Sequence, residues 1–158
     1  MIILAETDLH DQAGMERAFR YYFEESKRKY DGMFNTMMNT RFESCDYASR
    51  SLTLSMETLD WMSNPSSILH GGVTAAVLDM TMGLLCRYCS GGRMTPTVSM
   101  DVSYLRSAPL HRRLFIRADV TRCGGTICSA VGRLWLEGEP DRLLATSSGT
   151  YFVTKAQG

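Results

Sequence analysis

The sequence has no surplus of charge. Seventeen Lys and Arg balance seventeen Asp and Glu over 158 residues. A chain without a global field has no electrostatic draw on nucleic acid or an anionic membrane surface, so neither is an expected partner. It also lacks a long apolar run: the longest, residues 75 to 86, is interrupted by Asp79 and is too short to cross a bilayer. The opening MIILAETDLHDQ carries no basic leader before its brief apolar stretch. Cysteine is sparse and odd in number, at positions 45, 86, 89, 123 and 128. Together these features set the expectation of a cytoplasmic protein with free thiols. Cys86 and Cys89 form one Cys-x-x-Cys with no second pair to complete a zinc site, so no metal is expected. The pair falls at the C-terminal end of a predicted helix, the wrong end to stabilise a thiolate, and reads as packing. Of three histidines, His10 and His111 have no partners in the pattern and read as surface residues. No cofactor is expected.

What the chain does have is enough apolar material, 44%, for one core in one domain. Residues 8 to about 38 form a helical lead, in which Met15, Ala18, Phe19, Tyr22 and Phe23 recur at three- and four-residue steps and Gly32 interrupts. Residues 41–48 and 51–57 read as strands, the second alternating Leu52, Leu54 and Met56 with Thr53 and Ser55. A loop over 59–69 leads to a helix over 71–89, apolar nearly all round, which predicts enclosure. Gly91-Gly92 end it. Four strands follow at about 97–106, 113–122, 126–136 and 143–154, with Val98, Met100, Val102 and Tyr104 on one face of the first. Turns fall at Cys123-Gly124-Gly125-Thr126 and at Glu137–Asp141. The order predicts an α+β fold: an antiparallel sheet wrapped around one buried helix.

A single carboxylate, Asp79, interrupts that helix within LHGGVTAAVLDMTMG. An unpaired buried charge is expensive, so such a group is hydrogen-bonded, neutralised or kept for chemistry. Ala75 and Ala76 one turn back and Gly83 one turn forward leave room for a ligand or a water beside it. At the front, His70-Gly71-Gly72 opens the helix. Its first N–H groups have no internal partner, the dipole adds positive potential, and glycine permits close approach. That combination suits a polarised carbonyl oxygen. His70 and Asp79 are nine residues apart, roughly 13 Å of rise and on opposite faces. One reaction centre cannot use both ends of one helix. A two-fold dimer with antiparallel central helices would bring one front to the other's middle, making two composite sites.

LHGGVTAAVLDMTMG resembles the His-Gly-Gly helix of hotdog-fold acyl-CoA thioesterases, in the phenylacetate-pathway (PaaI-like) branch. Asp79 matches an Asp nine residues after the His, and Asn64 an Asn six residues before it. Thr97, seven residues before Tyr104, matches a Ser or Thr in the strand after the helix, and GTYFVTK resembles the last strand. The resemblance covers about residues 40–155. It departs at Ser67, where the family usually has glycine.

The resemblance implies a hotdog domain over 41–158 behind an N-terminal helical lead over 1–40, assembled as a homodimer or a dimer of dimers. The implied reaction is hydrolysis of an acyl-CoA substrate. Among the implied catalytic residues, the Gly71 amide binds the thioester oxygen and Asp79 of the other subunit activates water or attacks directly. Thr97 positions the water, Asn64 orients water or carbonyl, and His70 holds the loop. Gly72, Ala76 and Gly83 are expected to line the substrate site, and Arg106 is a candidate for a CoA phosphate, as are Arg112, Arg113 and Arg122. Thioester hydrolysis suits so spare a set, because a thiolate leaves readily without a Ser/His/Asp triad. A module that binds acyl-CoA or supports an assembly without catalysis is the alternative.

Overall fold

Alternating apolar residues give the strands one face to bury, and the sheet uses it. The computed structural model describes residues 9–155; residues 1–8 and 156–158, the ends of the expected lead and domain, lie outside the described residues. The strands are β1 (Arg41–Asp46), β2 (Ser51–Glu57), β3 (Thr97–Tyr104), β4 (Arg113–Cys123), β5 (Ile127–Leu136) and β6 (Leu143–Phe152). They form one antiparallel sheet in the order β1-β2-β4-β5-β6-β3. Each lies where the alternation puts it.

The long central helix, α3 (Gly71–Cys89), crosses the inner face of the sheet. Leu114, Ile116 and Ala118 of β4 and Ala130 and Leu134 of β5 are buried beneath Val77, Leu78, Met82 and Leu85. The closest approach is at Gly132 of β5, where an added Cβ would stand 3.0 Å from Leu78 Cδ2 and 3.3 Å from Met82 Sδ. Ser90 caps the helix end, and Gly91 and Gly92 leave it at φ 75° and 80°, a region glycine enters without a Cβ clash.

The helical lead breaks at Gly32, whose φ is 75°. It is therefore not one helix. α1 (Gln12–Lys29) is followed by a single turn, α2 (Phe34–Met37). Asp11 caps α1 by accepting from the Gly14 N–H at 2.6 Å, and Lys27, Arg28 and Lys29 meet the negative end of its dipole. Its apolar stripe, Met15, Ala18, Phe19 and Phe23, is buried in the same core as α3, with Phe19 against Phe42 and Tyr88.

One expectation changes. The helix α3 is not enclosed all round: Gly72 is exposed and Ala75, Ala76, Asp79 and Gly83 are only half-buried. The sheet covers one side of α3, and α1 packs towards its C-terminal end at Tyr88, leaving this stripe of small residues half open. The polar face of β2 is buried as well, because β1 and β4 flank it; Ser55 donates to Glu43, which also pairs with Arg113. The Val98–Tyr104 face of β3 is only partly covered, with Val98 60% and Tyr104 57% exposed, since β3 is an edge strand.

Candidate active site

Asp79 sits midway along α3, on its half-open stripe. Two hydroxyls reach the same carboxylate oxygen. Thr97 Oγ1 donates to Asp79 Oδ1 at 2.8 Å, and the Tyr151 hydroxyl donates to Oδ1 at 3.0 Å, with the Asp79 carbonyl 3.2 Å away. Oδ2 has no hydrogen-bond partner among the described residues. Burial first, then the charge of Asp79, push the Tyr151 phenol well above its ordinary range, so it remains a donor.

Tyr151 is fully buried, and two glycines make its place. A Cβ at Gly149 would stand 2.9 Å from Tyr151 Cε2 and 3.0 Å from its hydroxyl; one at Gly83 would stand 3.3 Å from Cε1. The space beside Gly83, expected for a ligand, therefore holds a ring, and the Gly83 carbonyl accepts from Thr95 Oγ1 at 3.0 Å. Sequence reading missed Tyr151. Its one local signal is Gly149, two residues earlier on the same strand face, where a side chain would ordinarily pack.

A second group gathers at the front of the helix. His70 is the N-cap, and its Nδ1 accepts from the Gly72 N–H at 2.9 Å. This fixes the neutral tautomer with hydrogen on Nε2. The Gly72 amide is thus engaged and cannot serve a ligand while the cap holds. The Gly71 N–H has no partner among the described residues and stands open at the positive end of the dipole. The Gly71 carbonyl accepts from the Tyr104 hydroxyl at 3.0 Å, which ties the helix front to the edge strand.

Asn64 holds its own loop: its Oδ1 accepts from Ser66 N at 2.9 Å and Ile68 N at 3.4 Å. Ser67 takes φ 57°, the left-handed region, which explains why glycine suits that position. Asn64, Gly71, Thr74, Tyr104 and Arg106 line one cleft of about 360 Å³. Arg106 Nη1 donates to the Leu143 carbonyl at 2.6 Å, so its guanidinium is anchored at the cleft.

Within one protomer the two groups stay apart. Asp79, Thr97 and Gly83 belong to the first, and Asn64, His70, Gly71, Gly72 and Arg106 to the second. Ala76 lies half-buried on the stripe between them. Eight residues of helix separate Gly71 from Asp79, about 12 Å of rise. A larger cavity, about 570 Å³, opens elsewhere, between the helical lead and α3, among Tyr22, Phe23, Phe34, Met80 and Met94. It holds none of the expected site residues, and volume does not outweigh their chemistry.

His111 does have a partner, Asp60 Oδ1, at 2.9 Å. All five cysteines are free, and burial pushes the Cys89 thiol up to about 12. Among the described residues, no three His, Cys, Asp or Glu side chains are placed to hold a metal ion, and no helix is long and apolar enough to cross a membrane.

The same architecture occurs in known proteins. The thioesterase superfamily model matches residues 67–142, the stretch that carries α3 and its cap. The medium/long-chain acyl-CoA thioesterase YigI of Salmonella typhimurium is 27% identical over 141 residues, covering 78% of this chain and 87% of that protein. A putative thioesterase of Ralstonia eutropha, described as phenylacetic acid degradation-related, superposes with TM-score 0.70 at 27% identity, over 84% of this chain and 99% of its own. Zebra fish thioesterase superfamily member 2 gives TM-score 0.76 at 21% identity, over 87% and 97%, a likeness of fold. The chain has a hotdog fold, and its residues 67–142 are similar to the thioesterase superfamily. Its relatives are thioesterases, and YigI among them is one for medium- and long-chain acyl-CoA.

Proposed function

We propose that catalysis takes place at composite sites, each joining the Gly71 end of one α3 to Asp79 of the partner subunit in a two-fold homodimer. The observation that carries this reading is the division of one site's chemistry between two places about 12 Å apart on a single helix. An open amide at one end and a half-open carboxylate at the middle complete each other only across a symmetric interface. The exposed edge of β3 and the small-residue stripe of α3 are the surfaces such a dimer would cover.

At each site the Gly71 N–H receives the thioester carbonyl oxygen. A water is held between Thr97, whose oxygen still has lone pairs to accept from it, and the free Oδ2 of Asp79. As the water oxygen bonds to the carbonyl carbon, Oδ2 takes its proton. The tetrahedral oxyanion is stabilised by the Gly71 amide. Its collapse breaks the carbon–sulfur bond, CoA leaves as a thiolate, and the proton on Asp79 returns to sulfur. Products are the free acid and CoA. Asn64 and Arg106, at the cleft beside Gly71, serve the substrate's carbonyl and CoA portions; Arg106 supplies charge for a phosphate. Free thiols throughout the chain suit a cytoplasmic setting.

Subunit complementation tests the dimer and the roles together. Asp79→Asn and Gly71→Pro homodimers should each be inactive. When the two are unfolded and refolded together in equal amounts, half the dimers are mixed, and each mixed dimer has one intact site. About a quarter of wild-type activity should return. No recovery in a demonstrably mixed population would overturn the shared site.

A further inference from the structure

Asp79 has two oxygens, and the fold treats them differently. Oδ1 lies where two hydroxyls converge, one from β3 and one from β6. Oδ2 is open. A carboxylate free to rotate about its Cβ–Cγ bond would exchange them and spend much of its time misaimed. Two donors on one oxygen, from residues paired across a β-ladder, oppose that rotation. Thr97 alone would give one anchor on an exposed edge strand. Tyr151 gives the second from a fully buried position, and its hydroxyl also lies within reach of the Asp79 backbone carbonyl, so it fixes the side chain relative to its own main chain.

The packing supports a dedicated role. The ring rests where Gly83 of α3 and Gly149 of β6 both lack side chains, and either methyl would crowd it. A residue needed only to fill the core would not need its hydroxyl: phenylalanine has the same ring. A buried hydroxyl is kept only where it has a partner, and here the partner is the proposed base.

We propose that Tyr151 is a positioning residue for thioester hydrolysis: it clamps Oδ1 of Asp79 together with Thr97, so that Oδ2 alone is presented to water. This rests on the role of Asp79 proposed above. It predicts a loss in the chemical step with little change in substrate binding, because Tyr151 touches Asp79 and not the cleft.

The test is steady-state kinetics of the full-length protein on an acyl-CoA, with thiol release followed. Tyr151→Phe should lower kcat by about tenfold, the scale of one hydrogen bond to a charged group, with KM within about twofold. Thr97→Val should act in the same direction. The double variant should lose less than the product of the two single losses, because loss of either anchor already frees the same oxygen. Gly149→Ala keeps the phenol but displaces it, and should reproduce the fall in kcat; it serves as the second variant should Tyr151→Phe fail to fold. Asp79→Asn is measured in parallel. Wild-type kcat in folded Tyr151→Phe, beside an inactive Asp79→Asn, overturns the clamp and leaves the role of Asp79 standing. An active Asp79→Asn overturns both.

Discussion

Thr97 and Tyr151 face each other across the β3–β6 ladder, and their hydroxyls meet on one oxygen of Asp79, at 2.8 Å and 3.0 Å. Helix, edge strand and last strand are therefore joined at a single carboxylate. The other end of the helix is prepared differently, with a histidine cap spending one amide and leaving the next free.

That difference yields a sharp test of the free amide. Gly71→Pro removes the N–H and adds a ring, whose Cβ would stand 3.4 Å from Tyr104 Cε1, within ordinary contact. Proline is well suited to the first turn of a helix, and the preceding His70, at φ −63° and ψ 134°, already has the extended conformation proline requires. The helix should survive with an unchanged circular dichroism spectrum. Turnover should fall by about two to three orders of magnitude, the usual cost of losing one oxyanion donor.

His70 can be separated from catalysis by its cap. His70→Ala should lower stability by about 1 kcal/mol, the typical worth of a helix N-cap. His70→Asn restores a capping oxygen and should recover most of that loss in a thermal melt. If His70 also contacts substrate, the Asn variant will regain its Tm and not its turnover.

The thiols set an alkaline limit. Burial raises Cys45 from an ordinary 9.0 to about 11, and Cys89 and Cys123 to about 12. A folded state that holds its protons more tightly than the unfolded chain loses stability as pH rises between the two values. Tm should decline above about pH 9 as these three thiols titrate. Replacing Cys89 with serine or alanine should flatten part of that decline; a profile unchanged by removing all three would exclude the thiols as its cause.

Much of this site was legible because its signals are local. A cap residue, two glycines, an apolar run and a terminal Gly-Gly define α3 to the residue, and the offsets from His70 to Asp79, Asn64 and Thr97 follow from one helix and its flanking segments. Tyr151 was not legible. It meets Asp79 across 72 residues of sequence, and its alignment depends on the β3–β6 register, which no local pattern reports. Gly83 misled for a related reason. A small residue announces a vacancy but not its occupant, and the occupant here is a ring from the far end of the chain. The half-open stripe of α3 was hidden likewise, since an apolar count does not distinguish residues facing a sheet from those facing outward.

The amino-terminal helix has a practical bearing on anyone trimming this chain to a minimal domain. Phe19 lies on Phe42 and Tyr88, so cutting before β1 would strip the cover from both aromatic rings at once. A shortened version would carry a greasy scar beside α3 and should precipitate or pair promiscuously, whatever its turnover chemistry.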